Sequence, residues 1–162
     1  MHLIRKATPA DHDAIWGIFQ GVIAAGDAYV FESEMPREEA MAYWFNPKTH
    51  SYVAEHEGEV VGCYLIRPNH PGRGAHVANG SYMVSPVERR HGTGRAMVEH
   101  SLKEARTLGF RAIQFNIVVS TNEAAVKLWQ QTGFMVVGVL PGAFRHATRG
   151  YVDAYVMYQQ LV

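Results

Sequence analysis

Apolar residues alternate over short runs in some parts of the chain and recur at three- and four-residue intervals in others, the mark of mixed strands and helices. "HLIRKA" predicts a short opening strand. "TPADHDAIWGIFQGVIAA" predicts a helix: Ile15, Ile18, Phe19 and Val22 share one face, Thr8 can cap it, Pro9 suits its first position and Asp11 its first turn. "GDAYVFESEMP" reads as a loop and "REEAMAYWF" as a second short helix. "SYVAEH" and "VVGCYLIR" flank a tight "EGE" turn and predict a hairpin. After the Pro- and Gly-dense loop "PNHPGRG" comes the strand "AHVANGSYMV".

From Gly92 to Leu108 the pattern is helical, with Met97, Val98, Leu102, Ala105 and Leu108 in one stripe and Glu99–Lys103 as an i,i+4 pair. "AIQFNIVV" is a strand. "TNEAAVKLWQQT" is a helix, with Asn122 and Glu123 at its start and Gly133 after its end. "FMVVGVL" and "YVDAYVMYQQLV" are two further strands. The order β-α-α-β-β-β-α-β-α-β-β, without repeat or linker, predicts one α+β domain over residues 1–162. A mixed central sheet of about seven strands would be flanked by about four helices.

A chain of 162 residues with 48% hydrophobic content can bury a sizeable core. Fifteen Lys and Arg balance fifteen Asp and Glu, so the broad basic face of a general nucleic-acid binder is not expected. The single cysteine, Cys63, lies in an apolar run and reads as a small buried hydrophobe. With no disulfide to form, no secretory signal and no run of about 20 apolar residues, the expectation is a cytoplasmic protein without a membrane partner. The nine histidines show no i,i+4 pair and no cysteine cluster, so no metal site is expected.

The stretch "VSPVERRHGTGRAMVE" concentrates charge and glycine between a strand and a helix. A loop in that setting aims free backbone N–H groups and the positive end of a helix at one spot, which suits a phosphate. It lacks the Gly-Lys-Ser/Thr of a Walker loop, and Met97 stands where a dinucleotide fingerprint needs its third glycine. What remains is R-x-x-G-x-G over Arg89, Gly92 and Gly94, weak alone.

Some thirty residues on, "TNEAAVKLWQQTGF" supplies a second element. Together the two resemble the GCN5-related N-acetyltransferase (GNAT) superfamily. "IRKATPADHDAI" resembles its opening strand and helix, and "YVAEHEGEVVGCYLI" its central hairpin. "GDAYVFESEMPREEAMAYWF", "RPNHPGRGAHVANGSYMV" and "FNIVVSTN" are similar to the azetidine-2-carboxylate N-acetyltransferases. "PGAFRH" with "GYVDAYVMYQQL" is similar to the ending of phosphinothricin-type amino-acid acetyltransferases.

The resemblance implies direct acetyl transfer from acetyl-CoA to a small-molecule amine, an amino acid or toxic analogue. The alternatives are a non-catalytic acyl-CoA-binding module or a protein N-acetyltransferase. It implies a cofactor grip at Arg89, Arg90, His91, Gly92, Thr93, Gly94, Arg95 and Ala96, with backbone at Met83 and Val84 pairing with the pantetheine arm and donating to the oxyanion, and Asn122 bonding the arm from the other side. Trp129, at the cofactor site, stands where many relatives carry a tyrosine thought to protonate the leaving thiolate; either the thiolate leaves unaided or another tyrosine, Tyr82 or Tyr155, takes that role. Asn116, expected in a buried strand, would hold the acceptor. Glu32 and Glu34 are the candidate bases, with His76, His146 and Asp153 behind them. Tyr29, Phe31 and Tyr82 would line the acceptor pocket, and Arg145 or Arg149 would meet an acceptor carboxylate. The final strand would suit a homodimer contact.

Overall fold

The computed structural model describes residues 1–88 and 92–162. Its strands are β1 (Leu3–Lys6), β2 (His50–His56), β3 (Glu59–Pro68), β4 (Val77–Val84), β5 (Ala112–Val119), β6 (Met135–His146) and β7 (Gly150–Gln160). Its helices are α1 (His12–Ala24), α2 (Arg37–Trp44), α3 (Thr93–Thr107) and α4 (Glu123–Gln131). They follow one another as the pattern predicts and form one sheet in the order β1-β2-β3-β4-β5-β7-β6. Every strand pair is antiparallel except β4 with β5.

A single 3₁₀ turn, Pro9–Asp11, leads into α1. The buried Asp11 carboxylate accepts from the Thr8 N–H at 2.7 Å and from both terminal nitrogens of Arg5 at 2.9 Å, tying β1 to the helix start. Those bonds, Arg5 foremost, lower its pKa to about 2. The β2–β3 hairpin turns through Glu57 (φ 53°) and Gly58 (φ 85°), the paired left-handed residues whose twist matches two antiparallel strands.

Side chains alternate across the sheet. Cys63, Leu65 and Met83 face α1 and α2, where Phe19 and Trp44 complete an apolar and aromatic core. Burial pushes the Cys63 thiol pKa up. Tyr52, Tyr64 and Tyr82 sit side by side in register on the other face. Their rings stack at 4.7 and 5.4 Å. The three hydroxyls meet α3 at Glu104 (2.8 Å), His100 (2.7 Å) and Ser101 (2.7 Å). Gly62 lets α3 settle onto β3, because a Cβ there would come within 3.0 Å of Thr93 and Met97 side-chain atoms. This ladder fixes where α3 begins.

β4 and β5 pair only at Val77↔Ala112 and Ala78↔Ile113 and then diverge. A bulge between Phe115 and Val118 bends β5 against β7. The loop between α1 and α2 crosses the mouth of this splay and is pinned to the β6–β7 turn by the Ala147 N–H to the Gly26 carbonyl, 3.0 Å.

Three expectations need correction. The strand predicted at "FMVVGVL" does not stop there: "PGAFRH" continues β6 across a register shift. The final strand, β7, lies inside the sheet between β5 and β6; the edge strand at that end is β6, which exposes Met135, Val137 and Val139. In α3 the surface pair is Arg95–Glu99 (3.8 Å), one turn before the expected Glu99–Lys103, and Leu108 lies beyond the helix and is partly exposed.

Candidate active site

A cleft of about 490 Å³ opens where β4 and β5 separate. Its walls run from α3 and α4 at one end to the α1–α2 loop at the other.

At the first end the protein offers mostly backbone. Gly92 (φ 76°) takes a left-handed turn that other residues adopt at a cost, and α3 starts directly after it. No side chain caps α3, so its first amides remain free for an anion. Ala96 is an exception to the expected grip, since its N–H already bonds the Gly92 carbonyl at 3.0 Å. The Thr93 hydroxyl lies 2.8 Å from His2 Nε2, which leaves this residue its backbone for a ligand. Arg95 reaches Gln131 at 2.9 Å and spans the rim between α3 and α4. Gly94 lines the cleft; a Cβ there would stand 3.4 Å from Leu128 and 3.9 Å from Val84. Arg89, Arg90 and His91 lie outside the described residues.

The bonding parity of β4 decides which backbone groups face the splay. The Ser85 N–H donates to the Val61 carbonyl of β3, and Met83 faces Cys63 in the same sense. Met83 is therefore engaged with β3, contrary to expectation. Tyr82 and Val84 turn their N–H and C=O groups into the splay. At Tyr82 both are taken by one hydroxyl: the Tyr82 N–H donates to Tyr29 Oη at 3.0 Å, and that hydroxyl donates back to the Tyr82 carbonyl. Burial pushes the Tyr29 phenol pKa up, so it stays protonated at neutral pH.

α4 forms the opposite wall. Asn122 caps it, its side chain accepting from the Ala125 N–H at 3.3 Å. Trp129 is buried against Tyr82, Phe115 and Phe134, with ring centroids 5.0, 4.5 and 5.7 Å away, so it is a wall of the cleft built into the core. The Tyr82 hydroxyl is held under α3 by Ser101 and cannot replace a missing phenol; Tyr155 packs against the core and does not line the cleft.

At the second end the protein offers side chains. Arg67 and Asn79 face each other across β3 and β4, with Ser81 two residues along on the same face. The Tyr43 hydroxyl meets Ser81 Oγ at 2.5 Å, and the Arg67 guanidinium lies over the Tyr43 ring, 4.8 Å from its centroid. Asn69 gathers two more amides: its Oδ1 accepts from Asn79 at 3.2 Å and from Asn116 at 2.8 Å. Asn116 also accepts from Gln114 at 3.0 Å. It is exposed to the cleft, not buried as expected, because the strand on one side of it has peeled away. Phe31 packs on Tyr43 at 4.9 Å and completes this end.

The proposed bases stand elsewhere. Glu32 is exposed and paired with Arg145 at 2.6 Å, a bridge from the α1–α2 loop to β6. That bridge also occupies the arginine expected to meet an acceptor carboxylate. Glu34 is exposed and accepts from its neighbour Ser33. His146 Nδ1 accepts the Thr148 and Arg149 N–H groups of the β6–β7 turn, and Asp153 accepts the Gly142 N–H. His76, His146, Asp153 and Arg149 do not line the cleft. Among the described residues the cleft holds one charged side chain, Arg67, and no carboxylate. Arg67, Asn79 and Ser81 went unnoticed in the sequence. The available signal was a polar residue inside an apolar strand, as with Asn116.

Residues 15–134 match the model of the acetyltransferase (GNAT) family. The chain belongs to that family. As a GNAT enzyme it is an N-acetyltransferase with acetyl-CoA as its donor. The N-acetyltransferase aca1 of Schizosaccharomyces pombe is 31% identical over 151 residues, covering 83% of this chain and 72% of that protein. The GCN5-related N-acetyltransferase of Kribbella flavida is 43% identical, with a TM-score of 0.93 over 98% of this chain and 97% of that one. A phosphinothricin acetyltransferase from Sinorhizobium meliloti, solved in complex with acetyl-CoA, has the same fold. Its TM-score is 0.88 at 21% identity, over 98% of this chain and 88% of that one. The GNAT donor suits the first end of the cleft, with its uncapped helix start, its side-chain-free Gly94 and the splayed backbone of Val84. No helix among the described residues is long and apolar enough to cross a membrane, and no group of three or more His, Cys, Asp or Glu is placed to hold a metal ion.

Proposed function

We propose that the protein acetylates the amine of a small molecule, an amino acid or amino-acid analogue, by direct attack on acetyl-CoA. The observation that carries this reading is the second end of the cleft, a nook walled by Phe31, Tyr43, Asn79 and Asn116 with no carboxylate among the described residues. A free amino acid would bring a carboxylate with its ammonium to a place that holds Arg67, whereas a protein N-terminus or lysine side chain would bring the ammonium without that carboxylate. The phosphinothricin acetyltransferase name points the same way.

In this reading the α3 amides and Arg95 hold the pyrophosphate and ribose end of acetyl-CoA, and Val84 pairs with the pantetheine arm. The Tyr82 N–H donates to the thioester oxygen as it gains charge, once Tyr29 yields that amide. Asn116 and Asn79 orient the amine. The amine nitrogen bonds to the acetyl carbon and sheds its surplus proton to water, the carbon–sulfur bond breaks, and CoA leaves as a thiolate, a fair leaving group with an ordinary thiol pKa of about 8.5. Burial keeps the Tyr29 and Tyr43 phenols protonated, so neither serves as a base near neutral pH. The ammonium therefore loses its proton to water before it attacks.

The test is CoA release with a panel of amines that includes azetidine-2-carboxylate, proline, methionine sulfoximine and phosphinothricin. Turnover of one or more is expected. Tight acetyl-CoA binding without CoA release from any amine would make the domain a non-catalytic acyl-CoA-binding module.

A further inference from the structure

Arg67 occupies an unusual position. It ends the apolar run of β3, on the face that carries Cys63 and Leu65 below α1 and α2, and it lines the cleft. No acidic residue pairs with it among the described residues, although Arg5, Arg37, Arg95 and Arg145 each pair with a carboxylate. Its contact is with the Tyr43 face, a stacking arrangement that positions a guanidinium without using its N–H fork. A half-buried guanidinium that keeps its donors unspent in an apolar cleft is set up for a planar anion.

The direction of the side chain matters as much as its charge. Arg67 pairs with Asn79, three residues before Tyr82 on β4. Its guanidinium lies over Tyr43, whose hydroxyl reaches Ser81, the neighbour of Tyr82. These contacts hold the charge in the same cleft as Asn79, Asn116 and the splayed Tyr82 backbone.

We propose that Arg67 is the specificity-determining residue for the acceptor and grips its carboxylate, a role that Arg145, bound to Glu32, does not fill. The inference rests on the acetyltransferase reading above. It narrows the acceptor from any small amine to one whose amine stands a bond or two from a carboxylate or a comparable planar anion. The same contact disfavours simple alkylamines, which offer Arg67 no anion, and polyamines, which carry a second cation where Arg67 waits.

The experiment compares each L-α-amino acid that is turned over with its own primary carboxamide, in the native protein and in Arg67→Met and Arg67→Lys. Readouts are kcat and KM for the acceptor, acetyl-CoA affinity and melting temperature. The native protein should prefer the acid by about 10- to 100-fold in kcat/KM, from KM, as expected for a charge-assisted pair. In Arg67→Met that preference should collapse to near unity. Arg67→Lys, which keeps charge but not the fork, should retain part of it. A native protein without preference for the acid, or a preference that survives in Arg67→Met, overturns the proposal while leaving the acetyltransferase reading in place. Equal losses for acid and carboxamide, with a lowered melting temperature, would make Arg67 a packing residue and overturn it too. No CoA release with any amine would remove both readings together.

Discussion

The two ends of the cleft are built on different principles. The α3–α4 end presents main-chain groups: an uncapped helix start, a left-handed glycine, a second glycine between Leu128 and Val84, and a strand whose partner has left. The other end presents side chains from four separate elements, Tyr43 of α2, Arg67 of β3, Asn79 and Ser81 of β4, and Asn116 of β5. Main-chain recognition suits a ligand that never changes, because any sequence carries amides and only their conformation must be kept. Side-chain recognition suits a ligand that differs between relatives, because one substitution alters the chemistry without disturbing the frame.

The harshest test of that division is Gly94→Trp. The new side chain would fill the space between Leu128 and Val84, and acetyl-CoA affinity should fall by about 100-fold or more by calorimetry. If affinity holds, the donor end has been misplaced. The mirror test is Asn116→Ala, which should lower kcat/KM for the acceptor by about 10- to 100-fold while acetyl-CoA affinity moves by less than about twofold. Comparable losses on both sides would dissolve the distinction.

A subtler consequence concerns protons. With no carboxylate in the acceptor end among the described residues, and its phenols pushed up by burial, kcat/KM should rise about tenfold per pH unit up to the pKa of the acceptor's own ammonium. The limb should shift when an acceptor of different basicity is used. A limb that stays put would reveal a base on the protein. The smallest effect on either end is expected from Asp11→Asn, far from the cleft. The folded Asp11 pKa, about 2, lies below its ordinary 3.8, so its contribution is present above that ordinary value and is lost as the pH falls towards 2. Because Arg5 is partly exposed, the loss at neutral pH should be about 1–2 kcal/mol, with the gap to the native protein closing in acid. Denaturant melts across pH would measure it, and both ligand affinities should stay level.

The same division explains what could be read before any coordinates. Strand and helix order follow from periodicity, and the donor end follows from Gly92, Gly94 and a helix start close in sequence. The acceptor end depends on register. Arg67 meets Asn79 only because β3 and β4 pair as they do, and Asn116 reaches the cleft only because β5 peels away after Ile113. Nothing local at Glu32 or Arg145 shows that they would satisfy each other across 113 positions. Met83 and Tyr82 differ by one residue, and which of them faces the splay is a matter of strand parity that composition does not carry.

Cys63 gives the molecule a convenient silence. The sole thiol of the chain lies wholly buried in the α1–α2 core, its proton held more tightly than in a free cysteine. A thiol-reactive dye added to a working reaction will therefore colour with released CoA and ignore the folded protein. In the absence of acetyl-CoA the same dye becomes a clock for unfolding, reporting each molecule as its interior first meets water.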